Sequence, residues 1–168
     1  KAEKDQDHIP ILIDNKPQIV DRTQAILNQG PSPYKELLAG AKGLEKMGAG
    51  LLAIACNTSH YYYQDLTREL EIPILHMQKI VAKKISQGPY KKPAILATKG
   101  ALEVGLYQKA LDQEGVDYLL PNQDQENIIQ DLIYQAIKSK NFNYPQEAIQ
   151  GVFQDLQDQG ADSFILGC

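Results

Sequence analysis

Two stretches of the sequence follow one plan: GAGLLAIAC at residues 48–56 and GADSFILGC at residues 160–168. In each, a Gly-Ala pair ends an amphipathic helical pattern, an apolar run follows, and a cysteine comes directly after it. Such a run after a helix is typical of a buried parallel strand. The repetition predicts two related halves with Cys56 and Cys168 just beyond the carboxyl ends of strands. The alternative is that this is ordinary α/β patterning and both cysteines are small buried hydrophobes.

The rest of the sequence also alternates short apolar runs with longer amphipathic stretches. The candidate strands are residues 9–13, 51–55, 72–75, 94–97, 117–120 and 163–166. The candidate helices are residues 32–47, 102–113, 125–139 and 145–159, with a further helical pattern at 61–70. Strands that alternate with helices of this length favour βαβ units and a mainly parallel sheet, so the predicted fold class is α/β.

We expect two pseudo-symmetric lobes, at residues 1–76 and 77–168, because the apolar run 72–75 ends just before His76. Open parallel sheets bind ligands beyond the carboxyl ends of their strands. The active site is therefore expected in the cleft between the lobes, with one cysteine on each wall. The sequence starts with Lys1 and stops after an apolar run, so we expect the middle of a longer protein whose first lobe lacks its N-terminal strand.

Composition restricts the class of protein and its partners. The chain has 168 residues, is 43% hydrophobic and carries a formal charge of −4. No apolar run approaches the roughly 18 residues of a membrane span, and mild acidity argues against nucleic acid or an anionic membrane as partner. With no charged-then-apolar leader, we expect a cytoplasmic protein whose two cysteines are free thiols.

The cysteines and histidines do not have the spacing of a metal site. The three histidines, His8, His60 and His76, are scattered along the chain. We interpret each as structural, with His60 the least certain because it follows Cys56 by one helical turn. The sequence therefore predicts no metal centre.

The residues after Cys56 suggest how its thiol is activated. Asn57, Thr58 and Ser59 are good helix N-cap residues, so Cys56 is expected at or just before a helix N-terminus. The dipole there lowers the pKa of a thiol and attracts a carboxylate. Two opposed thiols can invert a stereocentre, one as base and the other as acid. The alternative is an ordinary cap beside an inert cysteine.

Three further side chains are candidate ligand contacts. The guanidinium of Arg22 suits bidentate capture of a carboxylate, or else forms a local surface ion pair. Lys138 follows the apolar face of helix 125–139 and either places an ammonium near the cleft mouth or is a solvated lysine at a helix end. Thr98 comes directly after the candidate strand 94–97, at its carboxyl edge.

Five short motifs occur along the sequence: DQDHIP at residues 5–10, DRT at 21–23, ACNTSH at 55–60, ATKG at 97–100 and LGC at 166–168. In this order they resemble the aspartate/glutamate racemase family over essentially the whole chain. Glutamate racemases usually have Cys-Asn-Thr-Ala, whereas His60 after Ser59 is more typical of the aspartate branch. The chain therefore most resembles an aspartate racemase.

The resemblance implies a homodimer that interconverts L- and D-aspartate without pyridoxal phosphate or a metal. Cys56 and Cys168 correspond to the opposed acid and base. Arg22 matches an arginine that holds a substrate carboxylate, and Lys138 matches a lysine that contacts the substrate. The turn Asn57, Thr58 and Ser59 matches the one that binds the other end of the substrate.

Other functions remain open at this point. The same chemistry could act on glutamate, on a broad range of amino acids or on a related acid. The scaffold could instead bind a ligand without turnover. A third possibility is a redox sensor in which Cys56 and Cys168 form a reversible disulfide.

Overall fold

Parallel strand pairing organises the second half of the chain. The computed structural model describes residues 2–141 and 143–168. In it, strand β1 (Pro93–Ala97) pairs in parallel with strand β2 (Ser163–Gly167). The predicted α/β class with parallel strands is confirmed.

The candidate strands are formed to different extents. Residues 94–97 and 163–166 lie within β1 and β2. The candidates 51–55, 72–75 and 117–120 form single parallel bridges, Leu52 with Ile74 and Leu119 with Ala94. The predicted positions are thus correct, but the pairing in these three segments is much shorter than expected.

The prediction of a strand at residues 9–13 is wrong. Ile9, Ile11 and Ile13 are 83%, 75% and 82% exposed, and no described segment forms a ladder with them. An apolar run becomes a strand only where a neighbour pairs with its N–H and C=O groups, and Pro10 offers no N–H. The local pattern alone does not supply that neighbour.

The described residues contain eight α-helices: α1 (Arg22–Ile26), α2 (Tyr34–Lys46), α3 (Tyr63–Arg68), α4 (Met77–Ser86), α5 (Lys99–Glu103), α6 (Leu106–Gln113), α7 (Gln123–Asp131) and α8 (Glu147–Asp158). There are also 3₁₀ turns at Asp5–Asp7 and Thr58–Tyr62, and a π-helical segment, Leu132–Lys138, continues α7. None of these helices is long and apolar enough to cross a membrane.

Two of the candidate helices match single helices and two do not. The candidates 32–47 and 145–159 are α2 and α8. The candidate 102–113 is divided between α5 and α6 by Gly105, whose φ of +66° breaks the helical path. The candidate 125–139 begins earlier than predicted, because the side chains of Asn122 and Gln125 form a capping box that starts α7. Helix α4 was not predicted.

The repeated Gly-Ala pair has one structural explanation at both sites. Gly48 and Gly160 adopt φ values of +92° and +94° at the ends of α2 and α8. At each end the glycine N–H and the N–H of the following alanine donate to carbonyls of the last helical turn. This is the Schellman cap, which requires a left-handed residue and redirects the chain towards the sheet.

Strand β1 is buried on both faces. On one face Ile95 and Ala97 pack with residues of α4 and α6. On the other face Ala94 and Leu96 pack with residues of α7 and α8. Helices therefore cover both faces of the parallel pair, as expected for an α/β fold. A third apolar cluster consists only of residues between 34 and 74.

The register of β1 and β2 depends on a glycine. A Cβ at Gly167 would lie 2.8 Å from Ala97 Cβ and 3.1 Å from Tyr107 Cε2. We expect Gly167→Ala to lower the free energy of unfolding by about 1–3 kcal/mol through overpacking, measured by urea denaturation.

The matched control is Gly151→Ala in α8, where a Cβ meets no atom of the described part of the chain within 4 Å. That substitution should raise the free energy of unfolding by about 0.5–1 kcal/mol, because alanine is the better helix former. If Gly167→Ala is as stable as the control, the close approach is not a real constraint.

Candidate active site

A pocket lies beyond the carboxyl ends of the strands and encloses about 490 Å³, part of it open to solvent. The residues that line it are Asp21, Arg22, Thr23, Ala55, Cys56, Asn57, Thr58, Thr98, Lys138 and Cys168. All of the predicted site residues are among them except Ser59. Side chains that are distant in sequence thus meet at one place.

Ser59 is buried and does not line the pocket, but it affects the pKa of the Cys56 thiol. Burial raises the pKa of the Cys56 thiol, but the Ser59 hydrogen bonds and the Arg22 guanidinium outweigh it and hold that pKa below its ordinary value. A lowered thiol pKa favours the reactive thiolate.

Cys168 follows β2 and has the opposite shift. Burial, with smaller contributions of both signs from charged neighbours, raises the pKa of its thiol above the ordinary value. Of the two thiols, Cys56 therefore loses its proton at the lower pH. The pocket thus brings together one thiol with a lowered pKa and one with a raised pKa.

Arg22 is the first residue of α1 and is held by the backbone. The Asp21 carboxylate caps the helix by accepting from the Gln24 N–H at 3.0 Å. The Arg22 Nη1 donates to the carbonyls of Ile19 and Val20, each at 3.1 Å. A guanidinium has five N–H donors, so others remain for the pocket that Arg22 lines.

The position of α1 depends on a close approach to α5. A Cβ at Gly100 would lie 3.0 Å from Thr23 Cα, and Thr23 is buried. Only glycine lets the two backbones come this close. Gly100, in the ATKG motif, thereby helps to set where the neighbouring Arg22 lies.

Two buried hydroxyls that are distant in sequence lie within hydrogen-bonding distance of each other. Thr58 Oγ1 and Thr98 Oγ1 lie 3.2 Å apart, and both residues line the pocket. Thr98 Oγ1 also accepts from the Ala101 N–H at 3.4 Å. One hydroxyl proton is used between the two oxygens, so the other is left for a ligand.

A group that sequence reasoning missed links Lys138 to the first half of the chain. Asp21 Oδ2 accepts from Lys138 Nζ at 3.2 Å and from the Tyr134 hydroxyl at 2.8 Å. The Lys138 ammonium also lies 3.6 Å from the centre of the Tyr134 ring. The only sequence signals were the four-residue spacing of Tyr134 and Lys138 and the position of Asp21 beside Arg22.

The pKa shifts of Asp21 and Lys138 both favour the charged form of the group. Burial raises the pKa of Asp21, but its hydrogen bonds and the nearby ammonium more than reverse this and lower it. Burial lowers the pKa of Lys138, but Tyr134 and Asp21 outweigh that and raise it. Lys138 therefore stays a cation at the pocket wall across the neutral range.

His60 supports the turn that carries Cys56. It is buried, its Nδ1 donates to the Cys56 carbonyl at 2.9 Å, and its Nε2 accepts from the Met77 N–H at 3.3 Å. Both ring nitrogens are thus used by the backbone, which agrees with a structural role. Within residues 2–141 and 143–168, no group of three or more His, Cys, Asp or Glu side chains could hold a metal ion.

The two thiols should titrate in different pH ranges. We expect iodoacetamide to reach half its maximal rate at a lower pH with Cys56 than with Cys168, because the thiolate is the nucleophile. Mass spectrometry of the separate peptides measures both. Arg22→Ala should move the Cys56 midpoint to higher pH, whereas Arg68→Ala, which removes an exposed arginine paired with Asp65, should not. Equal midpoints for the two thiols would contradict the assignment.

Both the sequence and the fold of the chain are similar to those of known amino-acid racemases. The broad specificity amino-acid racemase RacX of Bacillus subtilis is 31% identical over 134 residues, which are 80% of this chain and 58% of the relative. A glutamate racemase of Aquifex aeolicus is 26% identical over 136 residues, 76% of this chain and 49% of that one. The chain spans about half the length of these curated relatives.

The fold comparison agrees with the sequence comparison. The structure of Picrophilus torridus aspartate racemase matches with a TM-score of 0.84 at 26% identity, covering 100% of this chain and 70% of that one. A family model described as Asp/Glu/Hydantoin racemase matches residues 1–168. The chain belongs to the Asp/Glu/Hydantoin racemase family.

Proposed function

We propose that the protein interconverts L- and D-aspartate without pyridoxal phosphate or a metal, with Cys56 and Cys168 as acid and base. The observation that carries the proposal is that both thiols line one pocket together with a guanidinium and an ammonium. Membership of a racemase family supports the reaction class. The substrate, the mechanism and the residue roles are the proposal.

Each turnover moves one proton off the α-carbon and another onto it. The Cys56 thiolate takes the α-proton from one face of the substrate, so the C–H bond breaks and an S–H bond forms. The Cys168 thiol then delivers its proton to the opposite face and is left as a thiolate, and the stereocentre is inverted. For the other enantiomer the roles are exchanged. The opposite pKa directions of the two thiols support this starting state.

The charges of the pocket suit a substrate with two carboxylates. Arg22 and Lys138 provide a cation for each, and the spare hydroxyl proton of the Thr58–Thr98 pair and the Asn57 side chain provide neutral donors. Removing a proton beside a carboxylate gives an enolate-like transition state. Donors that are already in place stabilise that charge without reorganisation.

Aspartate is the proposed substrate because the ACNTSH motif resembles the aspartate branch and the fold matches an aspartate racemase. The second candidate is glutamate or a wider range of amino acids. It is favoured by the two curated relatives, one a glutamate racemase and the other a broad specificity racemase. The experiment below separates these substrates.

We also propose that the protein is a cytoplasmic homodimer with lobes at residues 1–76 and 77–168. The lobe boundary is supported by the apolar clusters, since one contains only residues between 34 and 74 and the other two only residues after 76. The dimer and the location extend the family resemblance. Aspartate is the proposed partner, with no role for nucleic acid or membrane.

The reaction can be observed directly. Full-length protein incubated with L-aspartate in D₂O, with reductant and without pyridoxal phosphate, should lose the α-proton NMR signal and form D-aspartate. Cys56→Ala and Cys168→Ala should each abolish racemisation, because each removes one of the two proton-transfer groups.

L-Glutamate and L-alanine are run in parallel. Exchange with glutamate alone, or with all three amino acids, would overturn the choice of aspartate but keep the mechanism. Racemisation that survives loss of either thiol would exclude the two-cysteine mechanism. Ligand binding without exchange in folded, reduced protein would favour the non-catalytic alternative, and activity controlled by a disulfide at mild potential would favour the redox sensor.

Lys138 should determine affinity for the substrate more than stability. Lys138→Met keeps a side chain of similar length but removes the ammonium, so the KM for aspartate should rise about tenfold or more. Lys83→Met, at an exposed position of α4, is the control and should leave the KM unchanged. Steady-state kinetics on both variants make the comparison, and an unchanged KM in Lys138→Met would remove Lys138 from the site.

A further inference from the structure

A buried polar cluster lies behind the pocket and is formed by Asn57, Gln78 and Tyr107. Asn57 follows Cys56 in the first half of the chain, whereas Gln78 is in α4 and Tyr107 in α6. Gln78 is 0% exposed and Tyr107 is 2% exposed. Neither residue lines the pocket, but both contact Asn57, which does.

The hydrogen bonds of this cluster fix which end of the Asn57 carboxamide is free. Its Oδ1 accepts from the Tyr107 hydroxyl at 2.6 Å and from Gln78 Nε2 at 3.2 Å. Gln78 Nε2 also donates to the Asn57 backbone carbonyl, which can only accept, so the Asn57 side-chain atom beside it is the oxygen and the amide nitrogen is at the other position. No partner for Nδ2 is found among the described residues. The group that Asn57 has left to offer a ligand is therefore an N–H donor.

The place of Gln78 is hard to explain by stability. Its Oε1 is buried and has no hydrogen-bond partner among the residues that the structure describes. Its Nε2 donates to the Asn57 carbonyl and to Oδ1, but these acceptors already have the His60 N–H and the Tyr107 hydroxyl. A carbonyl oxygen can accept two hydrogen bonds, but the second contributes less than the first, whereas the buried Oε1 loses its hydration without a hydrogen bond in exchange. An apolar side chain of the same size would serve the core at least as well.

Residues that break a local rule of stability are expected at functional sites. We propose that Gln78 and Tyr107 are positioning residues that hold the Asn57 carboxamide so that its Nδ2 donates to a carboxylate of the amino-acid substrate. Tyr107 and Gln78 restrain the same oxygen from two helices, which removes rotation of the amide. This inference rests on the proposed function, because the carboxylate that accepts from Asn57 Nδ2 belongs to the proposed substrate.

The test separates positioning from structural support. In Gln78→Met the orphaned acceptor disappears, so the protein should unfold at the same or a higher urea concentration. The KM for aspartate should nevertheless rise about tenfold, with kcat within about threefold of the parent, because the lost restraint weakens binding of the ground and transition states alike. Tyr107→Phe should raise the KM in the same direction.

The matched control is Gln108→Met. Gln108 Oε1 is also buried and has no partner within residues 2–141 and 143–168, but its Nε2 donates to the Leu102 carbonyl and not to a pocket residue. This variant should leave both kinetic constants unchanged. In an Asn57→Ala background, Gln78→Met should cause no further rise in KM, because Gln78 acts through Asn57.

An unchanged KM in Gln78→Met would overturn the inference. So would a rise in KM on adding Gln78→Met to Asn57→Ala that equals the rise in the parent, or an equal rise in the Gln108→Met control. Failure of the proposed function is seen separately, as no α-proton exchange in the unsubstituted protein. In that case protection of Cys56 from iodoacetamide by aspartate replaces the kinetics. Protection that weakens in Gln78→Met but not in Gln108→Met would support the inference, and protection absent from the parent or equal in all variants would overturn it.

Discussion

Parallel pairing brings the carboxyl ends of paired strands to one edge of a sheet, and the pocket depends on this constraint. β1 and β2 end in register at Ala97 and Gly167, so Thr98 and Cys168 leave the sheet side by side. There is no room for a side chain on Gly167, because a Cβ would collide with Ala97. The other residues of the site are arranged around this edge, which the pairing of the two strands forms.

The charged groups of the pocket affect one another as well as any ligand. Asp21 neutralises part of the positive field and orients Lys138, whose ammonium has three N–H donors and gives one of them to this carboxylate. The others can bind a substrate carboxylate without breaking the ion pair. Arg22 meanwhile lowers the pKa of Cys56 and lines the same pocket. In the proposed mechanism this one guanidinium would both favour the Cys56 thiolate and attract a carboxylate of the substrate.

The features predictable from sequence are those determined by local physics. Gly48 and Gly160 end helices through a left-handed turn and redirect the chain, so that Cys56 follows the short bridged segment 51–55 and Cys168 follows β2. The short pairing of three candidate strands and the link from Asp21 to Lys138 depend on neighbours distant in sequence. Ser59 shows the same limit, because the motif places it near Cys56 in sequence but does not indicate that it is buried outside the pocket lining. Hydrophobic periodicity indicates which face of a helix or strand is apolar, but it does not indicate which polar atoms contact one another.

Two thiols in one pocket suit either proton transfer or disulfide formation, and a lowered pKa at Cys56 assists both. The difference lies in the rest of the lining. A reversible disulfide needs only sulfur atoms that can approach to about 2.05 Å and has no use for a ligand. Proton transfer needs a carbon acid held between the sulfurs, and therefore donors for its carboxylates. Arg22, Lys138 and the spare hydroxyl proton of the Thr58–Thr98 pair are such donors, so the racemase mechanism accounts for more of the pocket than the redox alternative does.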